Sequence, residues 1–183
     1  MFYRINIEGL ERDLPLCPIN DELFIGAFVL FGDPELTEHC ARELAKRAPE
    51  HDVMITAESK GIPLICDMAR ILGEKRYILA RKSVKLYMKN VVACETKSIT
   101  TGGVQTLYID GDDAEYMKGK RVLIVDDVIS TGGSLKSLEN LVESAGGKIV
   151  GKMTILAEGD ATERNDITYL QRLPLFDKNG KEI

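Results

Sequence analysis

Val122-Leu-Ile-Val-Asp-Asp-Val-Ile-Ser-Thr-Gly-Gly-Ser134 is the stretch from which the rest of the chain can be read. Its first four residues are apolar without alternation, as in a strand buried on both faces. Two carboxylates, Asp126 and Asp127, follow where that strand ends, and adjacent acids repel unless something positive or hydroxyl-rich meets them. Ser130, Thr131, Gly132, Gly133 and Ser134 then open a helix with a stripe at Leu135, Leu138, Leu141 and Val142. Glycines let the backbone curl around a phosphate, and a helix N-terminus supplies free N–H groups and partial positive charge. One site can therefore hold an anion by its loop, and sugar hydroxyls or their bound metal by its acids.

Outward from this stretch the chain alternates. Asp33-Pro34 reads as an N-cap with proline at the first helical position, and Leu36, Cys40, Ala41, Leu44 and Ala45 follow at helical spacing up to a limit at Pro49. Residues 52–57, 76–80, 121–125 and 148–156 read as buried strands; residues 62–71, ended by Gly73, and 134–144, ended by Gly146 and Gly147, read as helices. Strand alternating with helix predicts an α/β fold with a doubly wound, mostly parallel sheet, and ligands at the carboxyl ends of its strands. Residues 84–110 break the rhythm with two arms, 87–94 and 104–109, around a polar linker, and predict a flexible lid hairpin. Residues 1–32 and 158–183 are expected to build a small hood or cap, so that 1–183 is a single domain.

Bulk properties exclude several classes. At 44% hydrophobic and 29% charged, the chain has enough apolar content for a packed core, which argues against extended disorder. A net charge of −5 gives no broad basic face for nucleic acid. The N-terminus carries charges and no long apolar run, so no membrane partner is expected and cytoplasm is the expected location. Cys17, Cys40, Cys66 and Cys94 form no C-x-x-C pair, and with two histidines in the chain they are expected as free thiols. A nucleoside-triphosphatase loop needs G-x-x-x-x-G-K-[ST], which Lys136 does not satisfy, and G-x-G-x-x-G is absent. The acid pair also lies too deep in the chain for a phospho-accepting receiver domain.

The segment from Val122 to Ser134 resembles the phosphoribosyl pyrophosphate (PRPP) signature of type I phosphoribosyltransferases, and the resemblance extends over about residues 28–157. It implies that Asp126 and Asp127 engage the ribose hydroxyls as the catalytic pair and that Ser130, Thr131, Gly132, Gly133 and Ser134 bind the 5-phosphate. Ala57-Glu58-Ser59-Lys60-Gly61 resembles the Glu-Ala-Arg-Gly pyrophosphate loop of adenine phosphoribosyltransferases, a loop that often holds a non-proline cis peptide. Lys60 stands there in place of arginine, keeping the charge and losing the fork. Arg81, Lys82 and Lys85 resemble the basic stretch that contacts pyrophosphate in the same enzymes.

Phe28 to Asp33 is similar to the base hood of adenine enzymes, with Gly32 replacing arginine, which implies base contacts from Val29, Leu30 and Phe31. Hypoxanthine-guanine enzymes carry a further acid where Ser130 stands, and its absence leans toward adenine. By contrast, residues 58–63 and Leu156 to Gly159 resemble xanthine enzymes and a purine-sensing repressor. The lid departs from the family: Thr100, Thr101, Gly102 and Gly103 stand where adenine enzymes carry a Glu-Tyr pair.

The resemblance thus implies transfer of phosphoribosyl from PRPP to a purine, adenine favoured, in purine salvage. Mg2+ would be held mainly through PRPP, near Asp126 and Asp127, and the assembly would be a homodimer. The alternatives are a non-catalytic PRPP-binding regulator, a hypoxanthine, guanine or xanthine enzyme and, less well matched, an orotate enzyme.

Overall fold

The structure, a computed structural model, describes residues 1–97 and 104–183. Strands β1 (Phe2–Ile7), β2 (Leu10–Pro18) and β3 (Leu23–Gly26) open the chain, and helix α1 (Pro34–Ala45), β4 (Val53–Ala57), α2 (Gly61–Leu72) and β5 (Ile78–Ala80) follow. Then come β6 (Val92–Lys97), β7 (Val104–Ile109), α3 (Gly111–Met117), β8 (Arg121–Ile129), α4 (Gly133–Ser144), β9 (Lys148–Glu158), a 3₁₀ turn (Gly159–Glu163), β10 (Thr168–Leu173) and β11 (Leu175–Asp177).

Five strands in the order β10-β9-β8-β4-β5, all parallel, form the central sheet. The unbroken apolar character of β4 and β8 has its cause in layers on both faces. Leu123 and Val125 of β8 point into a cluster with α1, α2 and the cap residues Ile5, Ile7 and Leu14. Val122 and Ile124 point the other way, into a cluster with α4, Met117 of α3 and the hairpin residues Leu107 and Ile109. Asp33 caps α1 by accepting from the Leu36 N–H at 3.0 Å with proline at the start, and Gly73 ends α2 in the left-handed region at φ 74°. The four cysteines are free.

Two boundaries differ from the sequence reading. Residues 158–183 do not all belong to the cap: β10 pairs in parallel with β9 at the edge of the central sheet, and β11 alone joins β1, β2 and β3 in a four-stranded antiparallel sheet. In β10 the buried residues Leu170 and Leu173 stand three apart among exposed and half-buried ones, which gives neither a continuous apolar run nor an alternation to mark a strand of the sheet. The hairpin arms pair over 92–97 and 104–109, so 87–91 is not strand.

The base of the hairpin is also no free flap, because Leu107 and Ile109 are fully buried and Arg81 bridges Tyr108 through both backbone hydrogen bonds. The lid tip, with Thr100, Thr101, Gly102 and Gly103, lies outside the described residues. Among the described residues no helix is long and apolar enough to cross a membrane.

Candidate active site

Chain order places the cleft. From β4 the chain proceeds through α2 outward to β5, whereas from β8 it proceeds through α4 to β9 on the opposite side. The carboxyl ends of β4 and β8 are thus neighbours whose following loops diverge, the switch point where open α/β sheets bind ligands. A cavity of about 370 Å³ opens there, lined by the loop after β4, the end of β8 and its loop, and residues 25–29. A smaller one of about 50 Å³ lies within the turn Ser130–Ser134 and shares Asp126, Val128, Ser130 and Ser134 with it.

Asp126 and Asp127 form the floor and remain inside the hydrogen-bonded run of β8, which extends to Ile129 rather than ending before them. They are 8% and 6% exposed, unusually low for two carboxylates with no bound partner. Asp126 Oδ1 accepts from the Asp127 N–H at 3.0 Å. Asp127 Oδ2 is buried without a hydrogen bond, and its nearest cation is Lys60 Nζ at 3.6 Å. Burial, reinforced by the neighbouring carboxylate of Asp127, pushes the Asp126 carboxyl well above the ordinary carboxylate range. Such a pair is poised for a ligand that brings hydroxyl donors or a cation.

Above the floor, Ser130, Thr131, Gly132, Gly133 and Ser134 all line the smaller cavity. Gly132 sits at φ 78°, a conformation that an L side chain resists, and as N-cap of α4 it contributes no side-chain hydrogen bond. The first-turn N–H groups of α4 therefore have no side-chain cap, and residues 133–135 line the cavity.

The loop after β4 is built differently. The Glu58–Ser59 peptide bond is cis, and Glu58, Ser59, Lys60 and Lys82 line the larger cavity. The Glu58 carboxylate turns away from an anion-binding role: Oε1 accepts from the Lys82 N–H at 3.0 Å, and Oε2 lies 2.8 Å from Arg81 Nε, at ion-pair distance though without hydrogen-bond alignment. Glu58 thus braces the loop after β4 against the end of β5, and this pairing engages the Arg81 side chain. Lys85 donates to Ser83 Oγ at 2.6 Å and does not line the cavity. Gly61 does not line it either. A Cβ there would come 2.2 Å from Thr56 Oγ1 and 3.4 Å from Asp126 Oδ1, so the missing side chain lets α2 start directly against the floor.

The predicted base contacts divide. Val29 lines the cavity, whereas Leu30 is 1% exposed within the core and Phe31 is 52% exposed and outside the lining. Phe28, from which the resemblance asked nothing, faces the core with Leu30 and also reaches the cavity wall, while Phe31 stands at the turn that leads to Asp33 and projects outward. Also unanticipated are Ile25, Gly26, Leu173 and Glu158, where strand ends from the cap and from the edge of the sheet converge. Glu158 lies within the Leu156 to Gly159 stretch noted above, to which no cleft role was given, and no local motif marks the other three.

Among the described residues no group of three or more histidines, cysteines or carboxylates could cage a metal. The unsatisfied Asp127 Oδ2 beside Asp126 suits a divalent ion that keeps most of its ligands as water and substrate oxygens, the habit of Mg2+.

Comparison with known proteins accords with this geometry. Residues 33–178 match the phosphoribosyl transferase domain family. The chain is 34% identical to an adenine phosphoribosyltransferase of Acetivibrio thermocellus over 150 residues, covering 80% of this chain and 84% of the relative. It is 32% identical to a hypoxanthine/guanine phosphoribosyltransferase of Methanotorris igneus over 188 residues, covering 95% and 98%. The crystal structure of an adenine phosphoribosyltransferase from Thermoanaerobacter pseudethanolicus superimposes with a TM-score of 0.66 at 25% identity, covering 78% of this chain and 84% of that one. The protein with its acid-floored cleft at the switch point is a member of the phosphoribosyltransferase family, of the type I fold and nearest its purine enzymes.

Proposed function

We propose that the protein transfers the phosphoribosyl group of PRPP to a ring nitrogen of a purine, adenine in preference, giving a nucleoside 5′-monophosphate and pyrophosphate. The observation that carries this reading is the buried, under-satisfied acid pair beside a helix start that lacks a side-chain cap, in one cleft. Asp126 and Asp127 accept the ribose hydroxyls, and the turn Ser130–Ser134 binds the 5-phosphate through its amides and hydroxyls. Lys60 and Lys82 face the departing pyrophosphate from the opposite wall, with Ser59 between them and Glu58 holding the wall in place. The base lies against the apolar end formed by Ile25, Phe28, Val29 and Leu173.

Catalysis in this scheme is mostly positioning, since fixed charges and an oriented sugar lower the barrier without a covalent intermediate on the protein. Mg2+ when bound would neutralise charge on the pyrophosphate, with Asp126 and Asp127 the residues nearest to hold it. A homodimer is the proposed assembly, to be checked by sedimentation.

The adenine preference is supported by Ser130 in place of an acid, although a relative named for hypoxanthine and guanine matches about as well as one named for adenine. Pyrophosphate release with adenine, hypoxanthine, guanine, xanthine and orotate, with and without Mg2+, tests the reading. Release with adenine and Mg2+ is expected to be fastest. Association with PRPP without release for any base would identify a sensor instead.

A further inference from the structure

Glu158 is the one carboxylate of the larger cavity that the proposed function leaves idle, and it ends β9 in register with Leu173 of β10. Leu173 in turn reaches the cap, its Cδ1 lying 3.2 Å from where a Cβ of Gly26 would stand, so Glu158 is seated at the apolar end of the cleft. It is half-buried, and among the described residues no side chain or backbone N–H donates a hydrogen bond to it. A half-buried acceptor of this kind carries a desolvation cost that a ligand donor would relieve. Neither end of PRPP can do so, because phosphate and pyrophosphate are themselves anions and would be repelled. The complementary partner is a neutral group with N–H donors, and at C6 a purine supplies one or not according to its substituent. An exocyclic amino group there donates; an oxo group presents lone pairs that a carboxylate opposes, its neighbouring N–H standing one position away at N1.

We propose that Glu158 is a specificity-determining residue which accepts a hydrogen bond from the exocyclic amino group of the base and so selects a 6-aminopurine over its 6-oxo counterpart. The inference rests on the purine-transfer reading above and adds to it the residue that discriminates. A site made to bond a polar substituent rejects the analogue lacking it far more strongly than a greasy pocket does. The test is the ratio of kcat/KM for adenine to that for hypoxanthine, measured for wild type, Glu158→Gln and Glu158→Asp with PRPP at saturation.

Glu158→Gln, whose amide can donate to an oxo group, is expected to lower the ratio at least about tenfold, with the KM for PRPP within about twofold of wild type. Glu158→Asp keeps the charge and is expected to retain adenine preference at reduced rate. Equal losses for both bases in Glu158→Gln, or an unchanged ratio in both variants, would overturn the inference while leaving the transfer reading intact. A wild type that prefers hypoxanthine overturns the inference as well, and one that turns over no purine overturns both.

Discussion

Helices α1 and α3 begin on aspartates, whereas α2 and α4 begin on Lys60 and Gly132 with no side-chain cap. Asp33 accepts from the Leu36 N–H at 3.0 Å, and Asp110 accepts from the Asp112 N–H at 3.1 Å. Neither aspartate lines the cleft, while Lys60 does and Gly132 lies in the smaller cavity beside it. A side-chain cap is worth about 1 kcal/mol, so its omission at both cleft-facing helices gives up stability where anions are to bind. In the proposed reading, capped starts serve the fold and uncapped starts serve the ligand. The same division runs along β8, where Val122–Val125 is fully buried apolar strand and the next two residues are buried acids.

The strongest way to break this division is to neutralise the acids. Asp126→Asn and Asp127→Asn should each reduce kcat/KM by about a hundredfold to a thousandfold, as for loss of a transition-state electrostatic contact. Stability of Asp127→Asn should hold or rise, because a buried carboxylate oxygen without a hydrogen-bonding partner is removed. Melting curves beside steady-state rates check both halves. A variant that loses stability but keeps its rate would return the acids to the fold.

Next in size is a comparison of two glycines. Gly61→Ala places a methyl 2.2 Å from Thr56 Oγ1, and overpacking of this sort costs about 1–3 kcal/mol. Since the shift also presses on Asp126, turnover should fall with stability. Gly133→Ala meets nothing nearer than Thr131 Oγ1 at 4.0 Å and sits in the helical region, so its stability should be unchanged or slightly raised. Similar losses of stability at both positions would show that the loop after β4 is no more tightly built than the phosphate turn.

Protonation sharpens the contrast further. The folded-state pKa of Asp126 is raised above its unfolded value, so the protonated form favours folding. Its contribution is fully present below about pH 4, the unfolded carboxylate range, and is lost as pH rises through the elevated folded value. Unliganded protein should therefore lose stability over that interval, and Asp126→Asn should flatten the trend. Binding of PRPP with Mg2+ favours the ionised acid and should release protons, which calorimetry in buffers of different ionisation enthalpy would register. Absence of proton release near neutrality would place the pair's ionisation elsewhere.

How far these features could be read in the sequence depends on whether their causes are local. The turn Ser130–Ser134 and the uncapped helix start behind it were legible because their cause is local, announced by Gly132 and Gly133 and by the hydroxyls around them. The capped start of α1 was legible for the same reason, Asp33 and Pro34 standing side by side. The bracing of the loop by Glu58 was not legible because its partners, Arg81 and the Lys82 N–H, lie across α2 and β5. That Leu30 turns into the core and Phe31 outward was not legible either, because the chain has no regular structure there whose period could fix the facing of its side chains. Glu158 stood in a stretch noted only for its resemblance to xanthine enzymes and Leu173 carries no motif, and the parallel pairing of β9 with β10 is what brings them to the wall.

The smallest effect on activity, and the cleanest check on the division between helix starts, belongs to Asp33. Besides capping α1 it receives the Arg12 guanidinium, Nε to Oδ2 at 2.7 Å and Nη2 to Oδ1 at 3.1 Å, which ties β2 of the cap to the core. That guanidinium, with the Leu36 N–H, holds the Asp33 carboxyl below its ordinary range. Asp33→Ala should cost about 1–2 kcal/mol through the lost cap and the lost contacts with Arg12, which keeps Glu35 as a partner, while kcat and KM stay within about twofold of wild type because the residue does not line the cleft. Asp33→Asn keeps the cap acceptor and loses the charge, so it should recover most of that stability. If Asp33→Ala instead lowered turnover while leaving the melting temperature alone, the start of α1 would have to be counted with the ligand-binding helices, and the distinction between capped and uncapped termini would lose its functional meaning.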